Sequence, residues 1–303
     1  MKYFAIGLLL LLTTWSYSAF AQPTNSAPAM SDHSSKTIVF ITGAFVSNSC
    51  WNEWRTYFES RGYTCYAPAW PYKDASVDSL RLTQPNARIA SIRLEQLTAH
   101  YAAFVRQLPE KPILIGHSLG GLLTQLLLQQ DLAVAGVAIH SVPPQGVVTF
   151  KWSFFRSVWG PLGLFTPLDE SFLMSFSQWR YAFTNGMTPV QQRAAYKQFV
   201  IPESKRVARD GLTKAAHVDF ERPHAPLLFV AGSTDHIIPA SLNRSNFKRY
   251  PQGTSVTEYK EFTGRNHFVL GQPTWQQDAA FILNWIGKLQ PQAVAVPLRM
   301  AEK

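Results

Sequence analysis

Two rhythms of apolar and polar positions alternate along this chain of 303 residues. Short β-branched or continuous apolar runs stand at Thr37 to Thr42, Tyr63 to Pro68, Pro112 to Ile115, Leu132 to His140, Pro226 to Ala231 and Ser255 to Phe262. Each is bounded by Gly, Pro or polar residues, which is how core strands read. Between them the period changes to that of a helix. Trp51, Trp54, Tyr57 and Phe58 recur at spacings of three and four between Ser49 and Arg61, and Ile89, Ile92, Leu94 and Leu97 form the inner face of one long helix predicted over 87–105. Strands that alternate with helices through crossovers of more than a dozen residues require a parallel arrangement. The predicted fold class is therefore α/β: a mainly parallel sheet of about six strands with helices on both faces, binding ligands at the carboxyl ends of the strands.

The rhythm breaks between His140 and Pro226. Residues 147–222 are dense in aromatics such as Trp152, Phe154, Trp159, Trp179 and Phe183, are punctuated by Pro161, Pro167, Pro189 and Pro202, and contain no convincing strand. They predict a mainly helical cap over the strand ends. Its aromatics are expected to make mostly a small core of their own, with some roofing a pocket. The sheet-and-helix core would then comprise 37–146 and 223–289, with 290–303 as a loose tail.

At the start, Met1-Lys2, an apolar segment from Phe4 to Leu12 and the small-x-small triplet Ala19-Phe20-Ala21 have the form of a secretory signal peptide over 1–21, cleaved after Ala21. The segment is shorter than the ~20 residues that span a bilayer, so no stable membrane insertion is expected after cleavage. A flexible leader, 22–36, would follow, and the mature protein would be secreted or periplasmic. A formal charge of +9 suits attraction to anionic surfaces, but the basic residues are scattered and no nucleic-acid motif or Lys/Arg run is present, so no nucleic-acid partner is expected. Cys50 and Cys65 would sit at opposite ends of a helix, too far apart for the roughly 4.4–6.8 Å Cα separation of a disulfide, and are expected as separate thiols.

The candidate chemistry lies at Gly116-His117-Ser118-Leu119-Gly120-Gly121, between a buried strand and a helix-forming run. Small residues there permit a turn sharp enough to lift Ser118 above the sheet while amides of the new helix point toward developing negative charge. A serine needs a base, and the base needs an orienting acid. Asp235 follows the strand ending at Ala231, and His267 follows the last strand, in the chain order Ser118, Asp235, His267. Leu119 N–H and Ala44 N–H, the latter in the turn Thr42-Gly43-Ala44-Phe45, are the expected oxyanion donors. His117 is expected to pack beneath the turn and His236 to point away from the site. His140 and Ser141 follow the fourth strand, where the absence of a carboxylate favours Asp235 as the acid. The remaining histidines show no metal-ligand spacing, so neither a metal nor a cofactor is expected.

From about Thr37 to Gly287 these residues resemble the α/β-hydrolase superfamily, and Gly43-Ala44-Phe45 through Cys50-Trp51 is similar to the small capped group of plant methyl-ester esterases and hydroxynitrile lyases. Thr42 stands where that superfamily usually has His in its oxyanion turn. The resemblance implies Ser118 as nucleophile, Asp235 as acid, His267 as base, and Ala44 and Leu119 as oxyanion donors. The function expected is cleavage of a carboxylic ester of a small or medium apolar molecule through an acyl-enzyme. A lyase or cofactor-free oxygenase using the same residues, and a low-turnover ligand-binding protein, remain alternatives; the oligomeric state is left open.

Overall fold

In the computed structural model the described residues are 35–253 and 255–289. The expected signal peptide, nearly all of the leader, and the tail therefore lie outside them. Six strands form one parallel sheet: β1 (Thr37–Ile41), β2 (Thr64–Tyr66), β3 (Ile113–His117), β4 (Ala135–Ile139), β5 (Leu227–Gly232) and β6 (Thr257–Phe262), in the order β2-β1-β3-β4-β5-β6. The order reverses at β1, which pairs with both β2 and β3. That places a crevice outside the carboxyl ends of β1 and β3, where ligands collect in open parallel sheets.

The four inner strands β1, β3, β4 and β5 are buried along their whole length because both faces are covered, whereas the edge strands β2 and β6 carry polar, partly exposed residues. Ile38, Phe40, Ile115, Val137 and Val230 pack on Trp51, Trp54 and Phe58 of the first helical segment, whose α-helical part is α1 (Asn52–Glu59), and on Ile282 and Trp285 near the end of the described chain. Val39, Ile41, Leu114, Ala138 and Phe229 face Leu97, Tyr101, Leu122 and Leu126 on the other side. Cys50 and Cys65 are separate buried thiols.

After β2 the chain makes α2 (Val77–Leu82), which sequence reasoning missed, and then departs from the single helix expected over 87–105. Two helices, α3 (Ala87–Ala90) and α4 (Leu94–Arg106), flank a break at Ser91–Arg93. Remote polar groups cause it. Ser204 Oγ lies 3.0 Å from the Ala90 carbonyl and 2.8 Å from that of Ile92, while Asp210 accepts the Leu94 N–H at 3.0 Å, so groups that would continue the helix are otherwise engaged. Ile89, Ile92, Leu94 and Leu97 are all buried as expected.

Helix α5 (Leu119–Leu128) follows β3 directly. Between β4 and β5 come α6 (Trp152–Leu162), α7 (Phe176–Ala182), α8 (Pro189–Phe199) and α9 (Lys205–Asp210). Ser175 and Thr188 cap α7 and α8 with reciprocal Gln178 and Gln191 bonds, and Pro189 opens α8 where its missing N–H is harmless. Their aromatics do not make a separate core. Trp179 and Phe183 join the main cluster with Phe45 and Phe268, whereas Trp152, Phe155, Trp159 and Phe165 face solvent. Helices α10 (Ala240–Phe247) and α11 (Trp275–Leu289) complete the described residues. No helix among the described residues is long and apolar enough to cross a membrane.

Candidate active site

Ser118 joins β3 to α5 with φ 57° and ψ −118°, a backbone geometry that costs a non-glycine residue roughly 1–3 kcal/mol. Its neighbours enforce it. A Cβ on Gly116 would lie 2.0 Å from the Gly120 carbonyl oxygen, and one on Gly120 would lie 2.0 Å from that of Ile41. Only glycine at both positions lets strand, turn and helix approach so closely. The turn is tied to the next strand through Ser118 N–H to the Ile139 carbonyl (2.9 Å) and Val142 N–H to the Ser118 carbonyl (3.0 Å).

The structure brings the three residues expected from sequence together from the ends of three different strands. Ser118 Oγ is 2.9 Å from His267 Nε2, and His267 Nδ1 is 2.7 Å from Asp235 Oδ2. A carboxylate only accepts, so Nδ1 carries the proton and Nε2 is free to take one from the serine. Asp235 Oδ1 accepts the amides of Ile237 and Ile238, each at 2.8 Å. Burial alone would raise the Asp235 carboxyl, but the imidazoles of His267 and His140 outweigh it and hold the group well below the usual carboxylate range.

His140 is the residue that sequence reasoning undervalued. It sits at the end of β4, is wholly buried, and places Nδ1 2.8 Å from the same Asp235 Oδ2 that receives His267. Its Nε2 is buried with no partner among the described residues. His140 thus gives Asp235 Oδ2 a second hydrogen bond beside that of His267. These three side chains bring metal-ligand-type atoms within 4.8 Å of one another. Yet the two nitrogens lie 2.7 and 2.8 Å from one oxygen, the spacing of hydrogen bonds, and each needs its proton to make them.

His117 packs beneath the turn, with Nε2 donating to the His267 carbonyl at 2.8 Å. His236 turns aside, its Nδ1 2.8 Å from the Tyr181 carbonyl. The base loop is fixed by Asn266 N–H to Gln272 Oε1, Asn266 Nδ2 to the Asn185 carbonyl, and Phe268 N–H to the Phe183 carbonyl. Thus the segment between β4 and β5 holds His267 in place as well as covering it; the Phe183 ring stands edge-on to the imidazole at 4.8 Å.

Of the two expected oxyanion donors, Leu119 N–H opens α5 and has no intrahelical partner. Ala44 lies across the cavity floor, and its amide makes no hydrogen bond among the described residues. The loop carrying Ala44 is braced without the usual histidine. Glu203 Oε2 accepts Phe45 N–H at 3.0 Å, Ile201 N–H donates to the Phe45 carbonyl at 2.9 Å, and Trp70 Nε1 donates to the Thr42 carbonyl at 3.2 Å. This brace is needed because Phe45 is held at a φ of 71°. The Glu203 charge is met by Lys73, whose Nζ is 2.6 Å away and 4.0 Å from the Trp70 ring centre. Burial lowers the Lys73 ammonium from its ordinary range, and Glu203 opposes that shift. Neither Lys73 nor Glu203 carries a motif that marks it in sequence.

Above Ser118, His267, Ala44 and Leu119 opens a cavity of about 510 Å³, walled by apolar side chains including Phe45, Val142, Phe154, Val158, Leu162 and Phe183. A serine next to an oriented base, beneath a cavity of that character, can attack a carbonyl that is presented to two amides.

A profile of the alpha/beta hydrolase family matches residues 38–276. The chain belongs to that family. No curated protein matches this alpha/beta hydrolase closely enough to lend it a role. Solved structures resemble it at the level of the fold. A monoacylglycerol lipase of Paleococcus ferrophilus superposes with a TM-score of 0.59 at 18% identity, covering 84% of this chain and 95% of that one. A methylesterase from Arabidopsis gives 0.59 at 16% identity, covering 83% and 99%. Tomato methylketone synthase I, complexed with 2-tridecanone, gives 0.62 at 17% identity, covering 85% and 100%.

Proposed function

We propose that this alpha/beta hydrolase is an exported serine esterase that cleaves carboxylic esters of small or medium apolar molecules through an acyl-enzyme. The observation that carries the proposal is the run of contacts Ser118 Oγ to His267 Nε2 at 2.9 Å and His267 Nδ1 to Asp235 Oδ2 at 2.7 Å, lying under an apolar cavity. Ser118 Oγ adds to the ester carbonyl as its proton passes to His267 Nε2. The amides of Ala44 and Leu119 receive the oxyanion, and Asp235 remains ionised and stabilises the imidazolium. Collapse of the tetrahedral species expels the alcohol, which takes the proton from His267; water then adds to the acyl carbonyl as its proton passes to the same nitrogen, and collapse breaks the acyl bond to Ser118 Oγ, which recovers that proton as the acid leaves. Residues 147–222 serve as the cap and exclude water from these steps.

The wall of apolar side chains favours an apolar acyl or alcohol group. Among the fold's neighbours, a lipase, a methylesterase and a synthase holding a long-chain ketone are consistent with such a preference. Intact-mass labelling with a fluorophosphonate, beside hydrolysis of a panel of short acyl esters, tests the assignment. One adduct is expected on the wild type and none on Ser118→Ala; a wild type that is folded yet unlabelled rejects it. Export is tested separately: protein recovered from medium or periplasm is expected to begin at Gln22, and a mature chain still beginning at Met1 rejects the signal peptide.

A further inference from the structure

Helix α6 carries two apolar faces, one turned to the cavity and the other largely to solvent. Phe154, Val158 and Pro161 line the cavity, whereas Trp152, Phe155 and Trp159, spaced i, i+3 and i+7, form a second stripe turned to solvent. Trp152 and Trp159 are 74% and 64% exposed, Phe150 just before the helix is 89% exposed, and Phe165 just after it is 88% exposed. The stripe is continuous with the cavity wall. Phe150 and Phe155 belong to the cavity wall as well as to the exposed surface, and the rings of Trp159 and Phe165 lie 6.5 Å apart. Contiguous apolar surface of this kind is rare on a protein that meets only water.

We infer that this face docks on an anionic lipid bilayer and admits apolar ester from it directly into the cavity. Tryptophan rings settle at the boundary between hydrocarbon and headgroups, and a helix with an apolar stripe flanked by cations lies in that plane. From Val148 to Phe165 the only charged residues are Lys151 and Arg156, both exposed and both basic, in a chain of net charge +9. A second copy is a poor occupant. In a two-fold interface the patch would meet itself, bringing the same cations into opposition. The docking is peripheral, since no described helix can span a membrane. Only the nature of the cargo rests on the esterase reading; docking is read by binding alone.

The test is co-sedimentation of the full-length protein with vesicles of phosphatidylglycerol and phosphatidylcholine in about equal parts, and with phosphatidylcholine alone. Binding is expected to favour the anionic vesicles and to fall at least roughly tenfold in Trp152→Ser/Trp159→Ser/Phe165→Ser. None of those three lines the cavity, so hydrolysis of a short soluble ester is expected to persist in the same variant. Should the triple variant fold poorly, Lys151→Glu/Arg156→Glu decides, and it is expected to lose the preference for anionic lipid. Binding that survives both variants would belong to the apolar N-terminal segment and overturns the inference. So does equal binding to neutral vesicles, and so does a dimer in light scattering that the triple variant dissociates.

Discussion

Lys73 Nζ and Glu203 Oε2 meet at 2.6 Å in the interior, and the same carboxylate oxygen holds the Phe45 amide at 3.0 Å. The pair therefore joins the loop of Ala44, one of the two proposed oxyanion donors, to the segment between α8 and α9. Removing one partner strands a buried charge, so Lys73→Met is expected to lose about 3–5 kcal/mol in urea unfolding. Lys73→Met/Glu203→Leu replaces the pair with apolar groups and should recover most of that loss. It leaves Phe45 N–H and Ser204 N–H unheld, so kcat on a soluble ester should stay roughly tenfold to a hundredfold low with KM little changed. Recovery of rate together with stability would show that the pair is only structural.

The His140 contact to Asp235 makes a different prediction. His140→Val removes a donor from a buried carboxylate, and a hydrogen bond to a charged group contributes about 1.5–3 kcal/mol. We expect stability to fall by that order and kcat to fall roughly tenfold as the acid loosens. His140→Asn can return an N–H to Asp235 Oδ2, and should restore more of the rate than of the packing. Equal kcat in wild type, His140→Val and His140→Asn would mean that the base alone orients Asp235.

These residues also mark where the sequence stopped being legible. The strand, glycine turn and helix around Ser118 are local, so their pattern alone located that turn, and the strand ends located Asp235 and His267, which the fold brings to it. His140 stood at a strand end as well, but nothing near it shows that it meets a residue 95 positions away. Lys73 and Glu203 are 130 positions apart and have no motif. The break at Ser91–Arg93 was equally hidden: no Gly or Pro interrupts the helical spacing there, and the groups that stop the helix belong to Ser204 and Asp210. Local period fixes elements; which remote polar groups intervene is decided by packing.

Strain at Ser118 should be visible as stability. Ser118→Gly relieves the φ of 57° and ψ of −118° at the cost of a more flexible unfolded chain. The balance favours the variant by about 1 kcal/mol, or roughly 2–4 °C in Tm for a domain of this size, while hydrolysis disappears. A Tm at or below that of wild type would show that the turn stores no strain.

The pH dependence of stability follows from His117. Its burial, reinforced by the neighbouring imidazoles of His267 and His140, holds it well below the usual histidine range, and its Nδ1 is buried without a partner among the described residues. The unfolded chain takes up a proton near pH ~6.5 that the folded protein refuses. The contribution of this group is therefore fully present above ~6.5 and is lost as the pH falls below it, by up to about 1.4 kcal/mol per pH unit. His117→Gln can still donate to the His267 carbonyl but does not titrate. Urea unfolding at about pH 7.5 and about pH 5.5 should show the variant losing less stability on acidification than wild type, even if it begins less stable. The sign of the difference is the test, because burial of a neutral histidine can only make acid more damaging. Equal losses in the two proteins would place the acid sensitivity elsewhere, with the protonation of Asp235 confined to far lower pH by the bonds that depress it.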